Sequence, residues 1–315
     1  MGILRPFFGG MIGGAVLLAL GVTLGGGCGP GSGPAQPTAS ELAGLPWDSV
    51  KALARGSVVT WRMWRGDPGI NAYVDRWVAP AVEERFGIRL EAVEGRGPEL
   101  VNQLVVERDA GARGGGDLVW INGETYHNLR REELLQGPWA GVLPSARWVD
   151  STSTVIMSDF EQPLDGYESP WGKVQFALIY DSTRMPNPPG TVEELGAWIR
   201  ENPGRFTHDQ SFTGITFLKV LMYAQGGGVQ RFQGGFDPEA YQKGRDAVWS
   251  WLRRHTPAFW REGGAYPGGV ADLHRLFANG EVDFSMSNNA REAVSKARQG
   301  VLPAASRPLV LRDGT

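Results

Sequence analysis

Between residues 58 and 124, short apolar runs alternate with longer segments whose apolar side chains recur every three or four positions. The runs at 58–61, 88–93 and 117–121 predict strands, and the periodic segments at 71–86 and 98–105 predict helices. Pro80 is expected to kink or split the first helix, because proline has no N–H and its ring crowds the preceding turn. Strands and helices in this alternation predict a parallel sheet flanked by helices.

The second half of the chain continues the alternation and marks its helix starts more clearly. Strands are predicted at 174–180, 206–207, 282–286 and 309–311, and helices at 215–224 and 270–278. Thr191, with Glu194 at capping-box spacing, and Asp237 and Asn289 are expected to begin three further helices. The whole pattern predicts the α/β class, with enough chain for two lobes.

An uncharged apolar run at 7–24 follows Arg5 and leads through three glycines to Cys28, the only cysteine of the chain. A short positive region, an apolar stretch and small residues are the layout of a secretory signal peptide. We therefore predict that residues 1–27 are a signal peptide and that the functional part lies outside the cytoplasm. With one cysteine, no internal disulfide is possible.

Cys28 stands where a bacterial lipoprotein carries its diacylglycerol, and we predict that it is lipidated. Segment 28–54 would then be the lipidated tail and linker, and its acyl chains would hold the protein on a membrane at the periplasmic or cell-surface side. Gly25, rather than leucine, stands three residues before the cysteine. Two alternatives therefore stay open: an uncleaved signal anchor, and a signal peptide beside an incidental cysteine.

Composition narrows the class of partner. The 315 residues carry a formal net charge of −3, whereas a nucleic-acid-binding chain would show a clear excess of Lys and Arg. Twelve tryptophans are a high number, and tryptophan is enriched at recognition surfaces as well as in cores. We expect a binding protein that needs neither a cofactor nor a metal.

Motifs of the common enzyme classes are absent from the sequence. It has no Gly-x-Ser-x-Gly elbow, no His-Glu-x-x-His and no phosphate-binding loop, and its four histidines are scattered singly. Two carboxylates that meet across a cleft leave no local signature, so a carboxylate-dependent glycoside hydrolase stays open as an alternative at this point.

The most suggestive polar and aromatic residues follow the predicted strands or begin a helix. They are Trp64 and Arg65 after the first strand, Asn122 and Glu124 after the third, Trp171 before the strand at 174–180, Thr213 at a helix start, and Asn288 after the strand at 282–286. Ligands of open α/β sheets bind beyond the carboxyl ends of the strands. These seven residues are therefore the predicted ligand contacts.

Each contact has an expected role. The two tryptophans would stack on the solute, Arg65 and Glu124 would supply charge, and the remaining three would form hydrogen bonds. A cationic solute would favour Glu124 and the ring faces. An anionic solute would favour Arg65 and the helix start at Thr213. The sequence leaves both open.

Four segments carry a resemblance to a known family. They are Gly-Asp-Leu-Val-Trp-Ile-Asn-Gly-Glu at 116–124, Gly-Pro-Trp at 137–139, Ser-Pro-Trp-Gly at 169–172, and Phe-Thr-Gly at 212–214 followed by Phe217 and Leu218. From about Val58 onward, the chain resembles the extracytoplasmic solute-binding proteins of ABC transporters, of the type II class and more narrowly its YnjB-like branch.

The resemblance implies a type II periplasmic-binding-protein fold, with two lobes that each contain a mainly parallel sheet flanked by helices. Lobe 1 would span 55–174 and be completed by 306–315, and lobe 2 would span 175–305. Hinge strands at 175–180 and 308–311 would join them. The class continues beyond this point, so a carboxyl-terminal part is expected to be missing here.

The implied function is capture of a small polar organic solute between the two lobes and its delivery to the permease and ATPase of an ABC transporter. The protein would be a monomer, would bind no nucleic acid and would catalyse no reaction. A second alternative is a lipoprotein that presents its ligand to a membrane sensor.

Overall fold

The computed structural model describes residues 2–4, 39–112, 114–160, 162–172, 174–232 and 236–314. Cys28 and nearly all of the predicted signal peptide lie outside these residues. The chain divides into two compact units, Met1–Trp171 (unit 1) and Gly172–Thr315 (unit 2). This division falls three residues before the boundary predicted at 174/175. Unit 2 also includes 306–314, which the sequence analysis assigned to the first lobe.

Unit 1 is built on a five-stranded sheet in the order β3-β2-β4-β1-β5. Its strands are β1 (Gly2–Leu4), β2 (Val58–Met63), β3 (Arg89–Glu94), β4 (Leu118–Val119) and β5 (Leu135–Gln136), with a separate pair, β6 (Ser158–Asp159) and β7 (Gln162–Pro163). Its α-helices are α1 (Ala39–Ala43), α2 (Trp47–Ala54), α3 (Pro68–Tyr73), α4 (Ala79–Phe86), α5 (Gly97–Asp109) and α6 (Gly123–Arg131). Strands β2, β3 and β4 are parallel, as predicted, while β1 runs antiparallel to β4 and β5.

The helical stretch at 68–86 shows how the chain accommodates Pro80. A π turn at Val74–Val78 joins α3 to α4, and the N–H of Ala79 donates to the carbonyl of Val74, five residues back. Because proline cannot donate a hydrogen bond, the wider turn leaves room where an α-helical turn would clash with its ring. The kink or split predicted at Pro80 takes the form of a π turn between two α-helices.

Two apolar clusters form the interior of unit 1. One contains side chains of α5, β4 and α6, with Leu104, Val119 and Leu129 at its centre. The other joins Trp61 and Met63 of β2 to Val74 of the π turn. Successive side chains of a strand point to opposite faces of a sheet, so the two clusters lie on the two faces of the sheet.

Unit 2 is organised around a three-stranded sheet in the order β10-β8-β9. Its strands are β8 (Ala177–Asp181), β9 (Phe284–Ser287) and β10 (Ser306–Leu309), and its α-helices are α7 (Val192–Glu201), α8 (Phe212–Gly226), α9 (Pro238–His255), α10 (Val270–Ala278) and α11 (Glu292–Arg298). Both neighbours of β8 are antiparallel to it, whereas a mainly parallel sheet was expected. The carbonyl of Asn288 accepts from the N–H of Gln175, so the end of β9 lies beside the start of β8.

Two of the three predicted caps in unit 2 are confirmed. Asn289 is not the cap of α11, which begins at Glu292; its side-chain oxygen accepts from the N–H of Arg291 in the turn before the helix. The hydroxyl of Thr191 accepts from the N–H of Glu194 at 3.1 Å, and the carboxylate of Asp237 accepts from the first turn of α9. The predicted strand at 206–207 was wrong. The carbonyl of Phe206 instead accepts from the N–H of Trp260 at 2.7 Å, and its ring is buried.

A single core fills unit 2. Its aromatic centre joins Phe206 to Phe217, Phe259 and Phe284, with ring centroids 5.2–6.0 Å apart. In the part of the chain that the structure describes, no helix combines the length and the apolar character needed to cross a membrane.

Candidate functional site

The carboxyl edge of the unit 1 sheet brings together two of the predicted segments. Strands β2 and β4 are parallel and in register, with Trp61 opposite Leu118, and the N–H of Trp120 donates to the carbonyl of Arg62. The residues that follow these strands therefore emerge at one edge. Trp64 and Arg65 lie there after β2, and Asn122 lies there after β4.

Arg65 is held by a carboxylate of its own unit. Its guanidinium donates to both oxygens of Asp75, at 2.9 and 2.5 Å, and its backbone N–H donates to Glu94 at 3.1 Å. The hydrogen bonds from Arg65 hold the pKa of Asp75 below its usual range. The carbonyl of Arg65 also accepts from the side chain of Asn71. These contacts tie the loop after β2 to α3 and the π turn.

Trp64 covers the loop in which it lies. Its indole packs directly over Gly66, where a Cβ atom would overlap the ring. The side chain is half-buried. A glycine at 66 is therefore required for this ring position, and the indole is oriented by its own loop.

Asn122 and Glu124 mark the beginning of α6. Asn122 is half-buried and Glu124, in the first turn, is exposed, with no hydrogen-bond or ion-pair partner among the described residues. Gly123 has a positive φ of 53°, and its N–H donates to the carboxylate of Asp159 in β6. The N–H groups at a helix start attract anions. Asp159 supplies that negative charge from within unit 1.

Trp171 is part of an aromatic cluster that we call the ring cluster: Trp61, Tyr73, Trp77, Trp120 and Trp171. Trp171 packs on Trp61 edge-to-face at 5.4 Å and on Trp120 at 5.6 Å, while Tyr73 stacks on Trp77 at 5.2 Å. Trp61 is buried, but Tyr73, Trp77 and Trp171 are 46, 56 and 44% exposed. Of these five, only Trp171 was among the predicted contacts.

In unit 2 the structure brings Thr213 and Asn288 together. The side-chain amide of Asn288 donates to the hydroxyl of Thr213 at 3.2 Å. Thr213 lies in the first turn of α8 and is buried, while Asn288 directly follows β9 and is half-buried. Two residues 75 positions apart in sequence therefore share one polar site.

The first turn of α8 is capped from outside the helix. Asp209 is 1% exposed, and its Oδ1 accepts from the N–H and hydroxyl of Ser211 and from the N–H of Gly214 at 3.3 Å. The carbonyl of Asp209 packs so closely against Gly214 that a Cβ there would overlap it. Glycine at 214 is thus required for the close approach of this loop to the helix.

A buried polar network next to Asn288 was missed by the sequence analysis. His274 Nδ1 lies 2.6 Å from the hydroxyl of Ser285, and its Nε2 lies 3.3 Å from Glu292. Glu292 also accepts from Ser287 and pairs with Lys296 at 3.1 Å. Burial opposes ionisation of Glu292, but the hydrogen bonds from His274 and Ser287 and the nearby positive charge outweigh it, lowering its pKa to about 2.

This network explains why a lone histidine in the sequence had no visible partner. Its members come from α10, β9 and α11, and the spacing of eleven residues from His274 to Ser285 matches no known motif. Ser285 and Ser287 are fully buried and His274 is 4% exposed, so no substrate reaches them. The network holds the end of β9, from which Asn288 projects.

A cavity of about 490 Å³ lies elsewhere in unit 1, between α6 and the segment 162–167. Arg130 covers the ring of Tyr167 there, with its guanidinium carbon 3.5 Å from the ring centre. None of the predicted contacts lines this cavity. Within the described residues, no group of three or more His, Cys, Asp or Glu side chains is arranged to hold a metal ion.

Comparison with known proteins identifies the family. The family model for bacterial extracellular solute-binding proteins matches residues 77–308. This chain belongs to that family. Its sequence is also 33% identical to protein YnjB of Escherichia coli strain K12 over 273 residues, which is 85% of this chain and 70% of the relative. The predicted family and its YnjB-like character are confirmed.

Solved structures with the same fold support the predicted two-lobed α/β class. They include a putative extracellular solute-binding protein from Bordetella parapertussis (TM-score 0.53, 13% identity, 82% of this chain and 71% of that one). Another is the iron-bound HitA from Pseudomonas aeruginosa (TM-score 0.51, 17% identity, 81% and 70%). A third is the Trichodesmium protein FutA, solved with iron and citrate (TM-score 0.50, 13% identity, 80% and 69%).

Family membership also decides between binding and catalysis. The family consists of bacterial extracellular solute-binding proteins and not of enzymes. The glycoside hydrolase alternative is therefore discarded.

Proposed function

We propose that this solute-binding protein captures a small polar organic solute between its two units and delivers it to the permease of an ABC transporter. The observation that carries the proposal is the family match over residues 77–308. The exposed rings and polar side chains at the carboxyl edge of the unit 1 sheet support it, since ligands of such sheets bind there.

Capture would couple binding to a change in the relation of the two units. The solute favours the closed form only by the amount by which it binds that form more tightly. The permease would then recognise the closed form. The predicted hinge strands at 175–180 and 308–311 correspond to β8 and β10, which are neighbours in unit 2 with Pro308 opposite Ile179.

The proposal is tested first by native mass spectrometry of protein purified gently from its host. We expect a co-purified small molecule that, added back to stripped protein, raises the melting temperature and reduces the radius of gyration in solution scattering. If the solute binds without changing the radius of gyration, the proposed closure is contradicted and the proposed capture still stands. If no solute can be recovered and none raises the melting temperature, capture itself is contradicted.

Delivery requires a separate measurement. Uptake of the identified solute should fall in cells that lack this protein and recover when the gene is restored. Normal uptake in the deleted strain, with the solute still bound by the purified protein, would support the alternative of a lipoprotein that presents its ligand to a membrane sensor.

We propose further that the mature protein begins at Cys28 and is anchored through its lipid. Intact-mass analysis of membrane-extracted protein should give a chain that starts at Cys28 and carries a diacylglycerol, and Cys28→Ser should release it from the membrane. Residues 2–4, which form β1, would be absent from that chain. Recovery of a membrane-bound chain that retains these residues would support an uncleaved anchor instead.

A further inference from the structure

The proposed function leaves the charge of the solute open, and the internal contacts of each unit bear on it. Both positions that the sequence offered to an anion are filled by carboxylates of the protein. Arg65 donates two hydrogen bonds to Asp75. At the α8 start beside Thr213, the N–H groups of Ser211 and Gly214 donate to Asp209. The α6 start repeats the arrangement, with Asp159 as acceptor.

Asp209 makes the α8 start unfavourable for a second negative charge. The side chain is 1% exposed, and its Oδ2 has no hydrogen-bond partner among the described residues. A second anion placed beside this carboxylate would meet repulsion that little water screens. The partial positive charge of the helix start is already balanced.

The side chains that remain available to a solute at the edge of unit 1 are aromatic or acidic. Tyr73, Trp77 and Trp171 each leave about half of their surface exposed, and Trp120 lies against Trp171. Glu124, four residues after Trp120, is exposed and has no partner in the described part of the chain. Aromatic ring faces attract cations, with Trp the strongest of them.

We infer that the solute is an organic cation, bound with its charged group against the exposed faces of the ring cluster. This inference rests on the proposed solute-binding function and names the class of solute. Asn122, half-buried beside Glu124, would accept or donate one hydrogen bond to a polar group of the same solute. Arg65 would remain paired with Asp75.

The first experiment compares probes that share the quinoline ring system and carry different charges. Titration calorimetry of the full chain would use 1-methylquinolinium, its neutral isostere 2-methylquinoline and the anion quinoline-2-carboxylate. We expect the cation to bind at least tenfold more tightly than either other probe, with an affinity that falls as salt rises. Equal affinity for the three probes, or preference for the anion, would overturn the inference.

Variants separate the ring cluster from tryptophan content in general. Trp171→Ala should weaken binding of the cation by at least tenfold, whereas Trp171→Phe, which keeps a ring face, should retain most of it. Trp249→Ala is the matched control, since Trp249 is 55% exposed on α9 of unit 2. An unchanged affinity in Trp171→Ala, measured on protein that unfolds at the wild-type temperature, would contradict the assigned ring cluster.

Asp75→Asn should increase the binding of an anion, a gain that a misfolded protein would not show. Without its carboxylate partner, Arg65 is available to an anion, so binding of quinoline-2-carboxylate should increase several-fold while binding of the cation falls.

The inference and the proposed function fail in different ways. A co-purified solute that is anionic or neutral would leave the binding function standing and overturn the cation assignment. Failure to bind any solute, including all three probes, would contradict both.

Discussion

The main aromatic clusters of the two units differ in how much of each ring is exposed to solvent. In unit 2 the rings of Phe206, Phe217 and Phe284 are buried in one continuous core, and the polar groups at the ends of strands and helices bond to one another. In unit 1 the rings of Trp77 and Trp171 remain about half exposed. The contrast concerns these clusters and not every ring, since Trp249 of unit 2 is also 55% exposed. It predicts that the clustered rings of unit 2 contribute more to stability than those of unit 1.

The largest expected effect on stability is the difference between removing a buried ring of unit 2 and removing a half-exposed ring of unit 1. Phe206→Ala should lower the free energy of unfolding by about 3–5 kcal/mol, because its buried ring contacts three others and the cavity cannot refill. Trp77→Ala, which removes a half-exposed ring, should cost about 1 kcal/mol or less. Urea denaturation followed by circular dichroism measures both. Similar losses for the two variants would erase the proposed contrast.

The buried polar network around Glu292 in unit 2 should make the free energy of unfolding fall at low pH. Because the folded pKa of Glu292 is about 2, below its usual value of 4.5, its stabilisation is complete above pH 4.5 and is lost as pH falls toward 2. Glu292→Gln should lower stability at pH 7 by roughly 2–3 kcal/mol and flatten the profile between these pH values. A wild-type slope that persists in the variant would locate the acid sensitivity elsewhere.

The next largest effect on stability is expected at Gly214, where the backbone of the preceding loop packs directly against α8. Gly214→Ala should cost about 1–3 kcal/mol, because the new methyl group would overlap the carbonyl oxygen of Asp209, which cannot rotate away. Gly172→Ala is the control, since no heavy atom lies within 4 Å of its Cβ position. Thermal unfolding of the two variants should differ by several degrees. Equal melting temperatures would show that the loop before α8 moves freely.

The smallest effect is expected at the ion pair of unit 1. Asp75→Asn should change the free energy of unfolding by less than about 1 kcal/mol, because the Asp75 side chain is 46% exposed and such pairs contribute little. Denaturation at low and high salt measures it. A loss comparable to that of Glu292→Gln would mean that unit 1 too depends on its polar contacts for stability.

Local patterns predicted most elements of the fold. Strand β2, the helices between the first strands and the caps Thr191 and Asp237 follow from periodicity and side-chain chemistry over a few residues. The direction of the strands in unit 2 could not be predicted in this way, since an apolar run has the same pattern in a parallel and an antiparallel sheet. The π turn before Pro80 could not be predicted either, because a helix can accommodate a proline by a kink, a break or a wider turn, and the local pattern is the same in each case.

The sequence predicted which residues at the ends of strands are candidate contacts, but it did not predict which of them bond to one another. Thr213 and Asn288 were proposed separately, and the structure joins them by a hydrogen bond. No sequence signal links Arg65 to Asp75, because the contact depends on the path of the loop and of α3. Trp61 and Trp120 were assigned to strands, and their place behind Trp171 follows from the register of β2 and β4. Cys28 as a lipid site stays a prediction.

The π turn at Val74–Val78 has a consequence for how this protein varies among its relatives. A π turn holds one residue more than an α-helical turn, so the segment tolerates loss of one residue without a break in the helix. Such a deletion would convert the π turn into an α-helical turn and leave α3 and α4 in place, while Tyr73 and Trp77 would stand three residues apart instead of four. Relatives with a one-residue gap here should therefore keep both helices and lose the stacking of Tyr73 on Trp77.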